Sequence, residues 1–284
     1  MFVWAFSLLF WFTGSSDAHL QGVALYREHK YAEAITALQS ASQSEQPASA
    51  DYKEAALLIG ESYFMLSQAP KAIPWLEKLP NTNEASYMLG YAYLQAGQQM
   101  KSEEAFSRLF GLDPKSAAGH LLAGQMMLKK EFEAQAVDEV HKALALDPKI
   151  PQANFLLSEV AIYRGRIDEG IADLQKELAI NPNFAMAWYR LGDARVRQSE
   201  WDRAIPDLQR SVWLNAEYSA PYILLGKCYM KKGDFTNAEG FLKHALALDP
   251  QNYMATYLMG QTLNALGRTE EGKAMLQKSQ ALQH

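Results

Sequence analysis

The sequence predicts an all-α fold, a solenoid of about eight antiparallel helix pairs. Three observations support this prediction. Small residues recur at two fixed positions at a spacing of 34 residues. Apolar residues around them recur at intervals of three and four, which is the spacing of one face of an α-helix. Prolines recur where the second helix of a pair is expected to end, because proline cannot continue a helix.

Residues 219–252 show one helix pair in its clearest form. Gly226 lies within the first helix, where glycine costs about 1 kcal/mol relative to alanine. Close packing normally offsets such a cost, so we expect Gly226 to face Ala238 across the pair. The apolar stripe of this first helix is formed by Tyr222, Leu225 and Tyr229.

The same stretch contains its own helix boundaries. Gly233 is expected to end the first helix, and the Asp234 side chain can cap the second. Pro250 then stops the second helix. One such pair buries only one side of its helices, so it requires neighbouring pairs to complete its core.

The neighbouring pairs are present along the chain. The small residue of the first helix recurs, with one displacement of four at Gly60, as Gly22, Gly60, Gly90, Gly124, Ser158, Gly192, Gly226 and Gly260. The small residue of the second helix recurs as Ala34, Ala72, Ser102, Ala136, Gly170, Ala204, Ala238 and Gly272. The prolines that end second helices are Pro114, Pro148, Pro182 and Pro250.

Composition limits the function further. The net charge of −5 is mild and both signs are interspersed without a basic stripe, so we expect no nucleic-acid partner. Cys228 is the single cysteine of the 284 residues, which excludes an internal disulfide and a cysteine-based zinc site. The repeats leave no room for a second domain.

Residues 1–18 are predicted to be a signal peptide. An apolar run of 12 residues is too short to span a membrane, and Ser16 and Ala18 are the small residues that a cleavage site requires. The segment lacks the usual Lys or Arg before this run. We expect an exported protein, periplasmic or secreted, with no stable membrane insertion after cleavage. An uncleaved N-terminal anchor, or a cytoplasmic protein with a misplaced start codon, is the alternative.

Residues 19–82 are predicted to form two irregular repeat units. The polar connector at 40–50 carries four residues more than the period allows, and the second unit carries four fewer. Pro70 suits the first turn of that unit's second helix. Pro74 lies deeper and should bend the second turn slightly, as should Pro206 at the same repeat position in a later unit.

Residues 83–284 are predicted to form six regular units, with a polar cap at the C-terminus. In the last unit, Ser279 and Gln280 stand where Ala245 and Leu246 stand one repeat earlier. A terminal repeat has no neighbour to cover it, so this change is typical of a cap, and no further domain is expected. The six units are expected to start at Asn83, Ala117, Pro151, Ala185, Ser219 and Tyr253.

Residues 19–284 resemble a tetratricopeptide repeat (TPR) protein in the period, the small residues and the terminal prolines given above. This resemblance implies a right-handed superhelix of antiparallel helix pairs. It also implies that the first helices line a concave groove that captures an extended peptide or a partner helix. With its export segment, the chain is similar to bacterial envelope-assembly and secretion factors.

The resemblance also assigns residues to the groove by their repeat position. Aromatic side chains give large contact areas at a small entropy cost, which suits recognition of apolar or helical segments. The same aromatic residues could instead pack between adjacent helices, and the basic residues Arg190, Arg197, Lys227 and Lys231 could be a solvated face. The predicted partner-binding residues are Tyr87, Tyr91, Phe155, Ile162, Tyr163, Tyr189, Arg197, Ile223, Lys227 and Tyr257.

The sequence predicts no enzyme, and we expect no cofactor or metal. The six histidines fall at unrelated repeat positions, and glycines occur singly and not in a phosphate-binding loop. Acidic pairs such as Glu103–Glu104 lie near the starts of second helices, where they complement the helix dipole. We therefore expect a scaffold or adaptor that binds a protein partner. The alternative is an architectural spacer in an envelope or secretion complex, acting through its convex face and ends.

Overall fold

The computed structural model describes residues 16–79, 82–129 and 132–283. The apolar run of the predicted signal peptide lies outside these residues. Within them, the secondary structure is helical and contains no strand, so the predicted all-α solenoid fold of repeated helix pairs is confirmed. The chain divides into two compact units, Met1–Leu146 and Asp147–His284, which are described separately.

In its described residues, each compact unit contains four consecutive helix pairs, in which an odd-numbered first helix precedes an even-numbered second helix. The first compact unit contains α1 (Asp17–Arg27), α2 (Tyr31–Ser42), α3 (Ala50–Met65), α4 (Ile73–Leu76), α5 (Asn83–Gln95), α6 (Gln99–Arg108), α7 (Ala117–Leu128) and α8 (Glu133–Leu146). The second contains α9 (Ala153–Tyr163), α10 (Ile167–Ile180), α11 (Ala185–Arg197), α12 (Trp201–Leu214), α13 (Ser219–Lys231), α14 (Phe235–Leu248), α15 (Tyr253–Ala265) and α16 (Thr269–Ala281).

The helix boundaries follow local chemistry. Gly233 has a φ of 78°, a left-handed conformation that glycine adopts without strain, and it lies between α13 and α14. The Asp234 side chain accepts a hydrogen bond from the backbone N–H of Asn237 and so caps α14. Helix α14 ends at Leu248, two residues before Pro250. These boundaries are those expected from the sequence.

A close contact between the two helices of a pair recurs through the chain. A Cβ atom added at Gly226 would lie 2.6 Å from Cγ of Leu242, which is fully buried on α14. Glycine therefore allows α13 to approach α14 more closely than any side chain would. The same contact recurs in six other pairs, and in each a Cβ atom added at the glycine would lie less than 3.0 Å from the facing side chain. These pairs are Gly22 with Leu38, Gly60 with Leu76, Gly90 with Phe106, Gly124 with Val140, Gly192 with Leu208 and Gly260 with Leu276.

The contact corrects the packing expected at this position. Ala238 was the expected neighbour of Gly226, but the side chain pressed against the glycine is that of Leu242, one helical turn later. Ala238 is itself fully buried. In the pair that carries Ser158, the second helix has Gly170, and a Cβ there would lie 2.5 Å from Cγ1 of Ile162.

Successive pairs pack through both kinds of helix. Within each compact unit, a second helix contacts the first helix of the next pair, as α12 does with α13 and α14 with α15. First helices also contact one another, α1 with α3 and α3 with α5 in the first compact unit, and α11 with α13 and α13 with α15 in the second. In each unit the first helices therefore present a shared surface, which we call the first-helix face.

The second pair departs from the expected slight bend. Its second helix consists of a 3₁₀ turn at Ala69–Ala72 followed by α4, which has only four residues. Pro70 and Pro74 both lie in this stretch, and each lacks the N–H that a continuous helix requires. Pro206, at the same repeat position as Pro74, is contained within the 14-residue helix α12. One proline is tolerated within α12, whereas the two prolines of the second pair, four residues apart, prevent a regular helix.

The two ends of the described chain are also defined. Ser16 caps α1 by accepting a hydrogen bond from the backbone N–H of His19. Near the other end, Ser279 is buried and its hydroxyl donates to the carbonyl of Leu276, whereas Gln280 is exposed. Among the described residues, no helix combines the length and the apolar character that crossing a bilayer requires.

The Gly226–Leu242 contact predicts opposite effects for two glycine substitutions on the same pair. Gly226→Leu should lower the free energy of unfolding by about 1–3 kcal/mol, because the new side chain overpacks the contact. Gly240→Leu should raise it by up to about 1 kcal/mol, because a Cβ at the exposed Gly240 meets no atom within 4 Å and glycine is a poor helix former. Urea unfolding followed by circular dichroism measures both; equal effects would contradict the packing.

Candidate functional site

The first-helix face of Asp147–His284 carries two rows of side chains at the repeat spacing. One row contains Phe155, Tyr189, Ile223 and Tyr257, and the second, one helical turn later, contains Glu159, Asp193, Lys227 and Gln261. Because each row occupies one helix position in α9, α11, α13 and α15, its members follow one another along the face. All four residues of the first row, and Lys227 of the second, are among the predicted partner-binding residues.

A pocket of about 330 Å³ lies between α13 and α15 on this face, and we call it the Lys227 pocket. It brings together two predicted binding residues, Lys227 and Tyr257. The Tyr257 hydroxyl accepts a hydrogen bond from the Gln261 side-chain amide at 2.8 Å, and Met254 is 49% exposed. The lining residues are Lys227, Met230, Lys231, Phe235, Met254, Tyr257, Leu258 and Gln261.

Charge on this face is unevenly compensated. Arg197 pairs with Asp193 at 2.9 Å, and Arg190 pairs with Glu159 at 2.5 Å. Within the described part of the chain, neither Lys227 nor Lys231 takes part in a salt bridge. The two arginines of the predicted basic face are therefore neutralised. The two lysines lie at the pocket, where their charge is available to a ligand.

The other predicted aromatic residues of this unit differ in exposure. Phe155 and Tyr189 are half-buried; their ring centroids lie 4.9 Å from that of Phe184 and 5.1 Å from that of Tyr218, respectively. Burial, with smaller contributions from Tyr218 and Asp193, raises the pKa of Tyr189 to about 12. Tyr163, at the end of α9, is 84% exposed. The Tyr163 side chain is therefore directly accessible, whereas those of Phe155 and Tyr189 are only partly accessible.

Three predicted residues are part of the core. Ile162 and Ile223 are each 8% exposed and belong to buried apolar clusters. Tyr91 is 2% exposed, stacks edge-on with Phe106 and donates a hydrogen bond from its hydroxyl to the carbonyl of Met126 at 2.9 Å. A partner could reach these side chains only after repacking, so in this structure they support the face rather than form it.

The first compact unit has a pocket of its own, of about 600 Å³, which we call the Tyr87 pocket. Tyr87, a predicted residue, is 40% exposed there, and Phe110 is 62% exposed. Sequence reasoning missed Phe110 because it follows α6 in a turn, where helical spacing gives no information. The lining residues are Glu61, Asn83, Glu84, Tyr87, Met88, Leu109, Phe110, Met126 and Lys129.

The structure also assembles titratable groups that the sequence did not connect. His120, Glu103 and Glu139 come together from three helices, with His120 Nδ1 2.7 Å from Oε2 of Glu139. The Lys142 ammonium lies 2.6 Å from Oε1 of the same carboxylate, and the Gln99 amide donates to that oxygen at 2.9 Å. This network joins α6, α7 and α8, and the Lys142 ammonium lies at its centre.

Both carboxyl groups of this network have shifted pKa values. Burial and the hydrogen bond to Glu139 raise the pKa of Glu103. Burial would raise that of Glu139 too, but hydrogen bonds from Lys142, His120, Glu103 and Gln99 outweigh it and lower the pKa. The pKa values of these two neighbouring carboxyl groups are therefore shifted in opposite directions. A second group, His19 with Glu45 and Asp51, offers three ligand atoms within 4.8 Å of one another, so histidines do enter candidate metal-ligand sets.

Family models match most of the described repeats. Three models, each described as tetratricopeptide repeat, match residues 19–86 and 155–220, residues 84–116, and residues 229–283. Together they cover more than half of the chain. No curated protein sequence matches the chain.

Solved structures share the fold at low sequence identity. A crystal structure of MamA is 24% identical, with a TM-score of 0.53, and the match covers 56% of this chain and 94% of that one. YrrB, described as a TPR protein with an unusual peptide-binding site, is 23% identical, with a TM-score of 0.56 and coverages of 64% and 93%. One chain of the APC/C hetero-tetramer Cut9–Hcn1 is 18% identical, with a TM-score of 0.51 and coverages of 88% and 49%.

The closeness of the Glu103 and Glu139 carboxyl groups predicts a pH-dependent stability. Because the pKa of Glu103 is higher in the folded protein than in the unfolded chain, its stabilising contribution is present at acid pH and is lost as the pH rises through the folded pKa. Glu103→Gln keeps a donor to Glu139 at every pH. This variant should be about 1 kcal/mol more stable than the original protein at pH 8, and the difference should shrink toward pH 4.

Urea unfolding at a series of pH values measures this difference. The exposed neighbour Glu104 provides the matched control, since Glu104→Gln removes the same charge without touching Glu139. An unchanged pH profile for Glu103→Gln would show that the two carboxyl groups do not share a proton.

Proposed function

Because the chain belongs to the tetratricopeptide repeat family, we propose that it is a non-enzymatic adaptor whose first-helix face binds a peptide or helical segment of a partner protein. The observation that carries the proposal is the Lys227 pocket. It lies on the face where members of this family are expected to hold ligands, and it contains two residues selected by repeat position alone.

The chemistry of the pocket indicates the kind of segment that fits. Met230, Met254 and Tyr257 form an apolar floor that suits one apolar side chain, and methionine adapts to ligands of different shape. Lys227 and Lys231 supply positive charge that no acidic group of the described residues neutralises. A segment with an apolar residue beside an acidic one would satisfy both features.

The structural neighbours support binding of a protein segment but do not define the ligand. YrrB is described as having a peptide-binding site, and Cut9 is described in complex with Hcn1. At identities below 25%, these structural similarities are evidence for the fold only. The partner chemistry proposed for this chain therefore rests on its own side chains.

A second candidate function, an architectural spacer that joins larger assemblies, is favoured by one surface residue. Trp213 lies on the second helix α12, away from the first-helix positions, and is 71% exposed. The guanidinium carbon of Arg210 lies 4.2 Å from the Trp213 ring centroid. Trp and Arg are enriched at the centres of protein interfaces, so this pair is a suitable second docking point.

We also propose that the protein is exported in a bacterial cell envelope and acts after removal of residues 1–18. The support is the apolar run followed by Ser16 and Ala18. The structure adds a consequence, because Ser16 caps α1 and Asp17 begins it. Cleavage after Ala18 would remove the cap and the first two residues of the helix, and loss of a cap costs about 1 kcal/mol.

The Lys227 pocket predicts which substitutions abolish peptide binding. Twelve-residue peptides selected by phage display on the purified protein should carry an acidic residue next to an apolar one. Lys227→Gln and Tyr257→Ala should each weaken the best selected peptide by about 10-fold, because each removes a central contact. Fluorescence anisotropy measures the affinities, and Lys227→Gln should also reduce their dependence on salt.

Trp213→Ala is the matched control for this experiment. It removes an exposed aromatic side chain on a second helix and should leave peptide affinity unchanged if the pocket is the binding site. Affinity that survives both pocket substitutions and is lost in Trp213→Ala would contradict groove binding and favour the spacer.

The export proposal predicts the N-terminus of the mature protein. N-terminal sequencing of the protein recovered from its native cell should give a chain that begins at His19. Ala18→Leu should block removal of the signal peptide, because the signal peptidase requires a small residue at this position. Recovery of a chain that begins at Met1 would overturn the proposal.

A further inference from the structure

The connector between α2 and α3 has a role that the repeat pattern does not explain. It contains the four residues by which the first unit exceeds the period, and it places Glu45 beside α1 and α3. There Glu45 meets His19 of α1 and Asp51 of α3, and the ligand atoms of the three residues lie within 4.8 Å of one another. Residues distant in the repeat are thus collected at one point.

The surroundings of His19 are unusual for a buried imidazole. Its side chain is 2% exposed, its Nδ1 lies 3.0 Å from Oε1 of Glu45, and its Nε2 lies 3.1 Å from Oε2 of Glu54. A neutral imidazole donates from one nitrogen only, so it can satisfy one of these two carboxylates. The other nitrogen satisfies its carboxylate only as the second N–H of an imidazolium or through a cation bound between them.

Glu45 provides a second observation that favours a cation site. Its side chain is 9% exposed, and its Oε2 atom is buried without a hydrogen-bond partner among the described residues. A buried carboxylate oxygen without a partner is costly, and the large majority of such atoms in proteins are satisfied. An ion bound by Glu45 would remove this cost.

We propose that His19, Glu45 and Asp51 bind a divalent transition-metal ion, of which Zn²⁺ is the best match. One imidazole nitrogen with two carboxylate oxygens is a ligand set that Zn²⁺ accepts, and small movements would bring these atoms to bonding distance. The fourth position is left to water or to a partner group. Glu54 is a positioning residue, because it accepts the Nε2–H of His19 and directs the Nδ1 lone pair toward the ion.

Comparison with the other histidine group of the first compact unit shows why the metal site is assigned to the His19 group. At Glu103, His120 and Glu139, the ammonium of Lys142 already lies 2.6 Å from the buried carboxylate of Glu139. That lysine supplies the cation that the group requires. Around Glu45, the structure shows no lysine or arginine in a salt bridge among the described residues. The two groups are similar in composition but differ in this one charge.

Binding at this point would join α1, the connector and α3 through a single ion. The ion would therefore stabilise the first repeat, which has no preceding repeat among the described residues to pack against it. The proposal does not depend on the peptide-binding proposal, since the Lys227 pocket belongs to the other compact unit. The metal site and the peptide site can each fail alone.

Zinc titration of the purified protein, both as the full-length chain and as the chain that begins at His19, tests the site. Isothermal titration calorimetry should show one Zn²⁺ bound per chain, and Zn²⁺ should raise the melting temperature. Glu45→Gln and Asp51→Asn should each weaken binding by at least about 10-fold and abolish the rise in melting temperature. Glu33→Gln, which removes an exposed carboxylate of α2, is the matched control and should bind zinc as the original protein does.

Glu54→Gln keeps the test decisive if a buried substitution disturbs folding. Glu54 is 53% exposed, so its replacement should preserve the helix content seen by circular dichroism. Zinc affinity should nevertheless fall by about 10-fold, because the His19 ring loses the acceptor that orients it. Equal zinc affinity in the original protein, Glu54→Gln and Asp51→Asn, or no saturable binding at all, would overturn the proposal.

Discussion

The close approach of the two helices within each pair is the constraint on which the rest of the structure depends. Gly226 and its equivalents leave room for one large apolar side chain, such as Leu242, to press against the backbone of the first helix. This contact sets the separation within a pair. The second helix can then cover the first helix of the next pair, and first helices of successive pairs come into contact. A wider separation would open voids along the core.

This packing also determines where ligands can bind. Side chains that point between helices, such as Tyr91 and Ile223, are buried in the core and are not accessible to a ligand. Those on the outer side of the first helices stay accessible, and there charge decides their use. Arg197 is neutralised by Asp193, whereas Lys227 lines a largely apolar pocket and forms no salt bridge with another described residue. A solenoid thus uses one set of helices both for its core and for its binding surface.

Repeat position alone separated helix from turn but not contact residue from core residue. Tyr87 and Tyr91 lie one helical turn apart with the same chemistry, yet one is 40% exposed and the other 2%. A rotation of the helix by a small angle exchanges such positions, and the pattern does not specify that angle. Phe110 was missed for a different reason, because turn residues carry no period. The bend expected at Pro74 was inferred from its repeat position alone. Pro70, four residues earlier, is the reason that this segment forms a 3₁₀ turn and a short helix and not one bent helix.

The sequence by itself determined the all-α repeat fold, the starts of most first helices and the face that they share, because these follow from local spacing, capping and the exclusion of proline from helices. Only the tertiary structure decided which residues meet across that spacing. It placed Leu242 against Gly226, left Lys227 uncompensated, and brought His19 and Glu45 together across an irregular connector. Such contacts depend on how helices pack in three dimensions, and a period in one dimension does not record them.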